Sequence, residues 1–223
     1  MNETQVRQFT YNPPVEPYLS VLYQDDDLLV LDKPSGLLTV PGKAPEHGDC
    51  LERRAQVTYP QCRIVHRLDM DTSGVLVLAM NAKAHRHLGL QFERRHVKKS
   101  YIARVWGQVE KDSGSINLPL ICDWPNRPRQ MVDHERGKPS RTDWQVLSRH
   151  GDVTRVELTP LTGRSHQLRV HMLSLGHPVL GDNIYAHEQA LSAADRLQLH
   201  AQKLTLFHPA DGKTFEFVSE CPF

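Results

Sequence analysis

The spacing of apolar and polar positions changes several times along this chain, and each change predicts a different element. Residues 21–23 and 28–31 are short apolar runs split by Asp25-Asp26-Asp27, the pattern of a strand, a turn and a strand. Lys33-Pro34-Ser35-Gly36 and Pro41-Gly42 mark loops. Residues 49–59 have helical spacing, with Asp49 as the candidate N-cap. Residues 75–80 are apolar without a break, which predicts a buried strand. A helix is expected over 81–95, opening on Asn81, then a strand over 100–109. Residues 141–147 and 153–158 read as paired strands joined across His150-Gly151-Asp152. A helix over 165–175 is stopped by Gly176 and Pro178. Strands over 199–207 and 214–218 close the chain around residues 209–212. Residues 122–139, rich in Pro and Arg and without a clear period, are expected to form a long functional loop.

Many strands of mixed length and three or four helices, in no steady alternation, imply an α+β fold rather than a doubly wound parallel one. The expected sheet is mixed and mostly antiparallel, with flanking helices and long loops. Residues 1–17 are polar and proline-containing and read as a flexible or docking tail. Residues 18–223 then form the one domain, long enough to bury a core.

Charge alters this picture through its distribution. The formal net charge is only +1. Yet residues 83–104 hold seven basic side chains (Lys83, Arg86, Arg94, Arg95, Lys98, Lys99, Arg104) against Glu93 alone. Residues 127–141 add Arg127, Arg129, Arg136, Lys138 and Arg141 against Asp133 and Glu135. Such clusters are either solvated faces or phosphate grips. Cys50, Cys62, Cys122 and Cys221 show no C-x-x-C pair, which argues against a disulfide framework or a zinc site. The histidines fall in no metal-ligand spacing. With no secretory leader or apolar span, a cytoplasmic protein is expected.

Three segments offer chemistry. His66-Arg67-Leu68-Asp69-Met70-Asp71-Thr72-Ser73-Gly74 places the carboxylate of Asp69 in a turn-rich loop between two strands. There it can serve as nucleophile or base, or merely satisfy loop amides, as Asp71 can through an Asx-turn. Thr162-Gly163-Arg164-Ser165-His166-Gln167-Leu168-Arg169-Val170-His171 sets Arg164 at a helix start, where its charge opposes the helix dipole. That misfit suggests pairing with a buried carboxylate, while Arg169 and the two histidines are expected to face solvent or RNA. Lys99-Ser100-Tyr101 opens a strand with an aromatic residue, either core or binding face.

In this order and at these separations, the three segments resemble the RluA-type pseudouridine synthases. So do Leu29-Val30-Leu31-Asp32-Lys33-Pro34-Ser35-Gly36-Leu37 and His177-Pro178-Val179-Leu180-Gly181-Asp182. The resemblance covers roughly residues 20–220 and implies the pseudouridine synthase fold and an enzyme that isomerises uridine to pseudouridine in RNA. It makes Asp69 the catalytic aspartate. Arg67 would enter the space left by the flipped nucleotide, Tyr101 would pack on the target base, and Arg164 would pair with Asp69. No metal or other cofactor is implied. Residues 118–128 further resemble the members that modify both 23S ribosomal RNA and the anticodon stem-loop of tRNA, so structured RNA is the expected partner, with the enzyme a monomer. Fewer than 20 residues precede the region of resemblance, so no N-terminal S4-like module is expected. Two other classes fit less well. A non-catalytic RNA-binding protein would not need Asp69, Tyr101 and Arg164 together. A glycosidase would need a second carboxylate suitably spaced from Asp69, and Asp71 sits in the same tight turn.

Overall fold

The structure is a computed structural model that describes residues 11–223. Its first hairpin, β1 (Val21–Gln24) and β2 (Leu28–Lys33), turns at the acidic triplet, where Asp25 Oδ1 accepts the amides of Asp27 and Leu28. Helix α1 (Leu51–Thr58) and the short β3 (Arg63–Ile64) lead to β4 (Ser73–Ala79), helix α2 (Ala82–Glu93) and β5 (Lys98–Trp106). Next come β6 (Ser113–Asn117), a hairpin of β7 (Leu120–Cys122) and β8 (Gln130–Val132), and a long hairpin of β9 (Arg141–His150) and β10 (Val153–Pro160). Helices α3 (Gln167–Ser174) and α4 (Glu188–Ser192) precede β11 (Leu199–Phe207) and β12 (Thr214–Val218).

One sheet runs β1-β2-β4-β11-β5-β10-β9-β6, with β3 against β4 and β12 against β11. The β4–β11 pair is parallel. The other pairs among the described residues are antiparallel. The α+β expectation therefore holds. Alternation along β2 and β4 fills both faces of the sheet. Leu28, Val30, Val75 and Val77 pack with Ala84 and Leu88 of α2. Leu29, Leu31, Leu76 and Leu78 pack with Leu51 and Ala55 of α1 and with Leu68 of the Asp69 loop. Each buried leucine or valine contributes about 1.5–3 kcal/mol, so this double layer is a firm base for that loop.

The helix expected over 81–95 opens as anticipated, with Asn81 Oδ1 accepting the Ala84 amide at 2.8 Å. Asp49 is not a cap. Cys50 holds that position without a side-chain bond, because both Asp49 oxygens are taken by Arg54 at 2.8 and 2.6 Å. Part of the tail docks: Tyr11 Oη donates to Asp49 O and accepts the Leu38 amide, and Arg54 donates to Pro14 O. Residues 1–10 of the expected tail lie outside the described residues. The segment expected as a loop over 122–139 contains part of the β7–β8 hairpin instead, and β6 was not anticipated at all.

Gly74 sets the closeness of β4 and β11. Its φ is +113°, and an added Cβ would come within 2.2 Å of Ala201 O. Gly74→Ala is expected to destabilise the protein by about 3 kcal/mol or more, from backbone strain and overpacking together. Urea denaturation measures it, and a loss under about 1 kcal/mol would show that the strands can separate without cost.

Candidate active site

Asp69 lies in the loop between β3 and β4, and the segment after β2 clamps that loop from beneath. The buried Lys33 Nζ donates to Met70 O at 2.8 Å, to Leu37 O at 2.7 Å and to Pro34 O at 2.8 Å. Gly36 N donates to Met70 O, Ser35 Oγ to Asp71 O, and Thr39 Oγ1 to Leu68 O. The carbonyls before and after Asp69 are thus held by one segment, which fixes the direction of its side chain. Burial pushes the Lys33 pKa down to about 7, opposed by the charges of Asp71 and Asp69. The three carbonyls favour its ammonium form. His66 is also structural. Its ring stacks on Phe92 at 4.6 Å, its Nε2 accepts the Val77 amide, and burial pushes its pKa down to about 3.

The arginine facing Asp69 is Arg169, not Arg164. Arg169 Nη1 lies 3.5 Å from Asp69 Oδ2. Its Nε and Nη2 both donate to Asp182, at 2.7 Å each, and Asp182 is fully buried. Arg164 is exposed, and its Nε donates to Pro139 O at 3.3 Å. The reason lies in the turn before α3. Gln167 Oε1 accepts from Thr162 Oγ1 and the Arg164 amide, and its Nε2 donates to Arg141 O and Thr142 Oγ1. His166 takes a left-handed conformation, φ 52°, and α3 starts only at Gln167. Arg164 is thereby turned outward and Arg169 inward, contrary to the expectation for both. His171 is also interior, bonded to Thr142 Oγ1 and Ser140 Oγ. A helix buried all round can carry an arginine only beside a buried acid, and the Gly181-Asp182 pair was the sequence signal for it.

Tyr101, in β5, packs between two core clusters. Its hydroxyl has no hydrogen-bond partner among the described residues. Burial raises its pKa, and the nearby Asp69 charge adds to that. Asp71 is half-buried, its carboxyl pushed up by burial against the pull of Arg169 and Lys33. Arg67 is exposed and makes no ion pair among the described residues. Asp69 and Arg169 are therefore in contact, with Tyr101 near the Asp69 charge, and Arg67 is exposed two residues before Asp69.

A family model described as RNA pseudouridylate synthase matches residues 27–174. The chain belongs to the RNA pseudouridylate synthase family. It is an RNA pseudouridine synthase, an isomerase. It is 55% identical over 214 residues to the dual-specificity RNA pseudouridine synthase RluA of Escherichia coli K12, covering 96% of this chain and 98% of that protein. Identity to the protein of the same name from Haemophilus influenzae is 52%, with the same coverage. The solved human RNA pseudouridylate synthase domain containing 1 matches with a TM-score of 0.77 at 33% identity, over 92% of this chain and 84% of that one. The matched segment, residues 27–174, includes Asp69, Tyr101 and Arg169.

Proposed function

We propose that this synthase isomerises specific uridines in stem-loops of 23S ribosomal RNA and of the tRNA anticodon arm, with Asp69 as the reacting carboxylate. It acts in the cytoplasm, as a monomer and without a metal or cofactor. One observation carries the assignment of Asp69. Its only ion-pair partner among the described residues is Arg169 at 3.5 Å, and Arg169 is itself held by Asp182. Asp69 is thus oriented by a cation without being fully engaged, and its side chain is 28% exposed.

The target uridine leaves its stack to reach that carboxylate. Ionised Asp69 attacks C1′ or removes the C2′ proton, and by either route the N1–C1′ bond breaks and its electron pair leaves with the uracil. The base turns in the pocket and C5 bonds to C1′, displacing the Asp69 carboxylate in the first route or with Asp69 returning its proton to C2′ in the second; the C5 proton is then lost and N1 ends protonated. Tyr101 supplies a flat face for the base. Arg67 fills the vacated stack. Trp124, 65% exposed with the Arg127 guanidinium 4.4 Å over its ring, offers a stacking platform for splayed loop bases. The dual-specificity relatives support two classes of RNA substrate.

The test is to incubate the purified protein with a tRNA anticodon-arm hairpin and a 23S stem-loop and to map pseudouridine in each. Both are expected to react. Intact RNAs that react while every matching hairpin stays inert would overturn recognition of the local stem-loop.

Arg164, released from pairing with Asp69, becomes with Lys99 a phosphate ligand. Lys99 points to the same sheet face as Tyr101, beside Thr162 and Gly163, while Lys98 points to the other face. Lys99→Ala is expected to flatten the log–log salt dependence of RNA binding by about 0.7–0.9. Lys98→Ala is expected to leave it unchanged. Equal effects of the two variants would return both lysines to a general electrostatic role.

A further inference from the structure

His166 has no part in the chemistry assigned so far, yet the bonds around it fix the form of its ring. The Gln130 amide, from β8, donates to Tyr185 Oη at 2.8 Å. Tyr185 Oη has one hydrogen to give, and its other neighbour is His166 Nδ1, also at 2.8 Å. Where the hydroxyl gives that hydrogen to Nδ1, the ring carries its own hydrogen on Nε2. Burial lowers the His166 pKa, the Asp69 charge opposes that, and the Arg169 charge adds to it. Nε2 makes no hydrogen bond among the described residues and is not sealed from solvent. The left-handed backbone at His166 and the edge-to-face contact with Tyr185, 5.6 Å between centroids, hold the ring in place.

Tyr185, bonded to His166, carries the Arg169 guanidinium 5.1 Å over its ring, and Arg169 faces Asp69, so the imidazole stands beside the Asp69 site and within reach of a base whose sugar lies at Asp69. A neutral ring with one free N–H requires an acceptor, and uracil offers two carbonyl oxygens. When the N1–C1′ bond breaks, negative charge spreads onto those oxygens, so the hydrogen bond strengthens as the barrier is crossed. A neutral donor also leaves the Asp69–Arg169 pair undisturbed, where an imidazolium would compete with Arg169.

We propose that His166 is a further catalytic residue of the isomerisation, its Nε2–H donating to a carbonyl oxygen of the target uracil, and that Tyr185 is the positioning residue that fixes this tautomer. The inference rests on Asp69 as the reacting carboxylate. Because the Gln130 amide belongs to the hairpin that carries Trp124, the same chain ties the donor's orientation to the segment offered to RNA.

The experiment pairs protein variants with sulfur-substituted substrates. Single-turnover rates are measured on an RNA whose target is uridine, 2-thiouridine or 4-thiouridine, sulfur being the weaker acceptor. Wild type is expected to slow about tenfold, the equivalent of about 1.4 kcal/mol, with one of the two thiouridines. That result names the oxygen. His166→Ala should be slower on uridine by a factor of about 10–100, a hydrogen bond's worth in a desolvated site, and indifferent to the same sulfur. His166→Gln, which restores an N–H donor, should recover part of the rate. Tyr185→Phe keeps the ring of His166 but frees its tautomer. It should lose part of both the rate and the sulfur effect, and it tests the idea even if His166→Ala folds poorly. A His166→Ala rate within twofold of wild type, or a sulfur effect as large in the variant as in wild type, would overturn the proposal while the assignment of Asp69 stands. A full rate in Asp69→Asn would overturn both.

Discussion

Asp69→Asn is expected to abolish turnover while leaving the fold and RNA binding intact. The carboxamide has nearly the shape of the carboxylate but is neither a nucleophile nor a base. Little of the fold depends on the charge, since the side chain is partly exposed and its one bond to Arg169 is long, at 3.5 Å. Arg169 keeps the stronger part of its pairing, with Asp182. The expected loss is about four orders of magnitude or more, equivalent to about 5.5 kcal/mol of barrier. Pseudouridine formed under single-turnover conditions measures it, with thermal unfolding and filter binding as companions. A rate within tenfold of wild type would remove Asp69 from the chemistry.

Arg169→Met is expected to lose both activity and stability. Methionine leaves the fully buried Asp182 without its bidentate partner, and stripping one member from a buried pair costs about 3–5 kcal/mol. For a chain of this size, Tm should fall by roughly 10 °C. Adding Asp182→Asn should return part of that stability by removing the stranded charge, but none of the activity, because Asp69 still lacks its cation. Arg164→Met is the contrast. The side chain is exposed, so the change should be worth under about 0.5 kcal/mol of stability, and any defect should appear in RNA binding and its salt dependence. Near-wild-type turnover in Arg169→Met, with collapse in Arg164→Met, would reverse the assignment of the pair.

These two arginines also mark where the sequence stopped being legible. The Asp69 loop stood out because its turn formers sit directly before the apolar run over 75–80, which became the buried strand β4. The 75–80 run, the Asn81 cap and the 141–158 hairpin were readable for the same reason, since period and local chemistry agree there. Arg164 and Arg169 lie five residues apart in one segment, and no local rule says which faces inward. That depends on a left-handed residue at 166, on a glutamine with four hydrogen bonds, and on an aspartate thirteen positions downstream. Lys33 was hidden in another way. In the sequence it was only part of a loop signal with Pro34 and Gly36, and only the fold surrounds it with three carbonyls. The β7–β8 hairpin escaped notice because its strands are three residues each, too short to show a period.

The place of β11 in the sheet has a consequence for how the protein comes into being on the ribosome. This strand lies between β4 and β5 yet is among the last parts of the chain to be made. Until residues 199–207 emerge, β4 has only the two residues of β3 on that side and the two halves of the sheet cannot join. Arg169 and Asp182 also arrive a hundred residues or more after the carboxylate they serve. The nascent chain therefore carries Asp69 for most of its synthesis without the cleft that makes it reactive. The paired site therefore forms late, by closure of contacts distant in sequence.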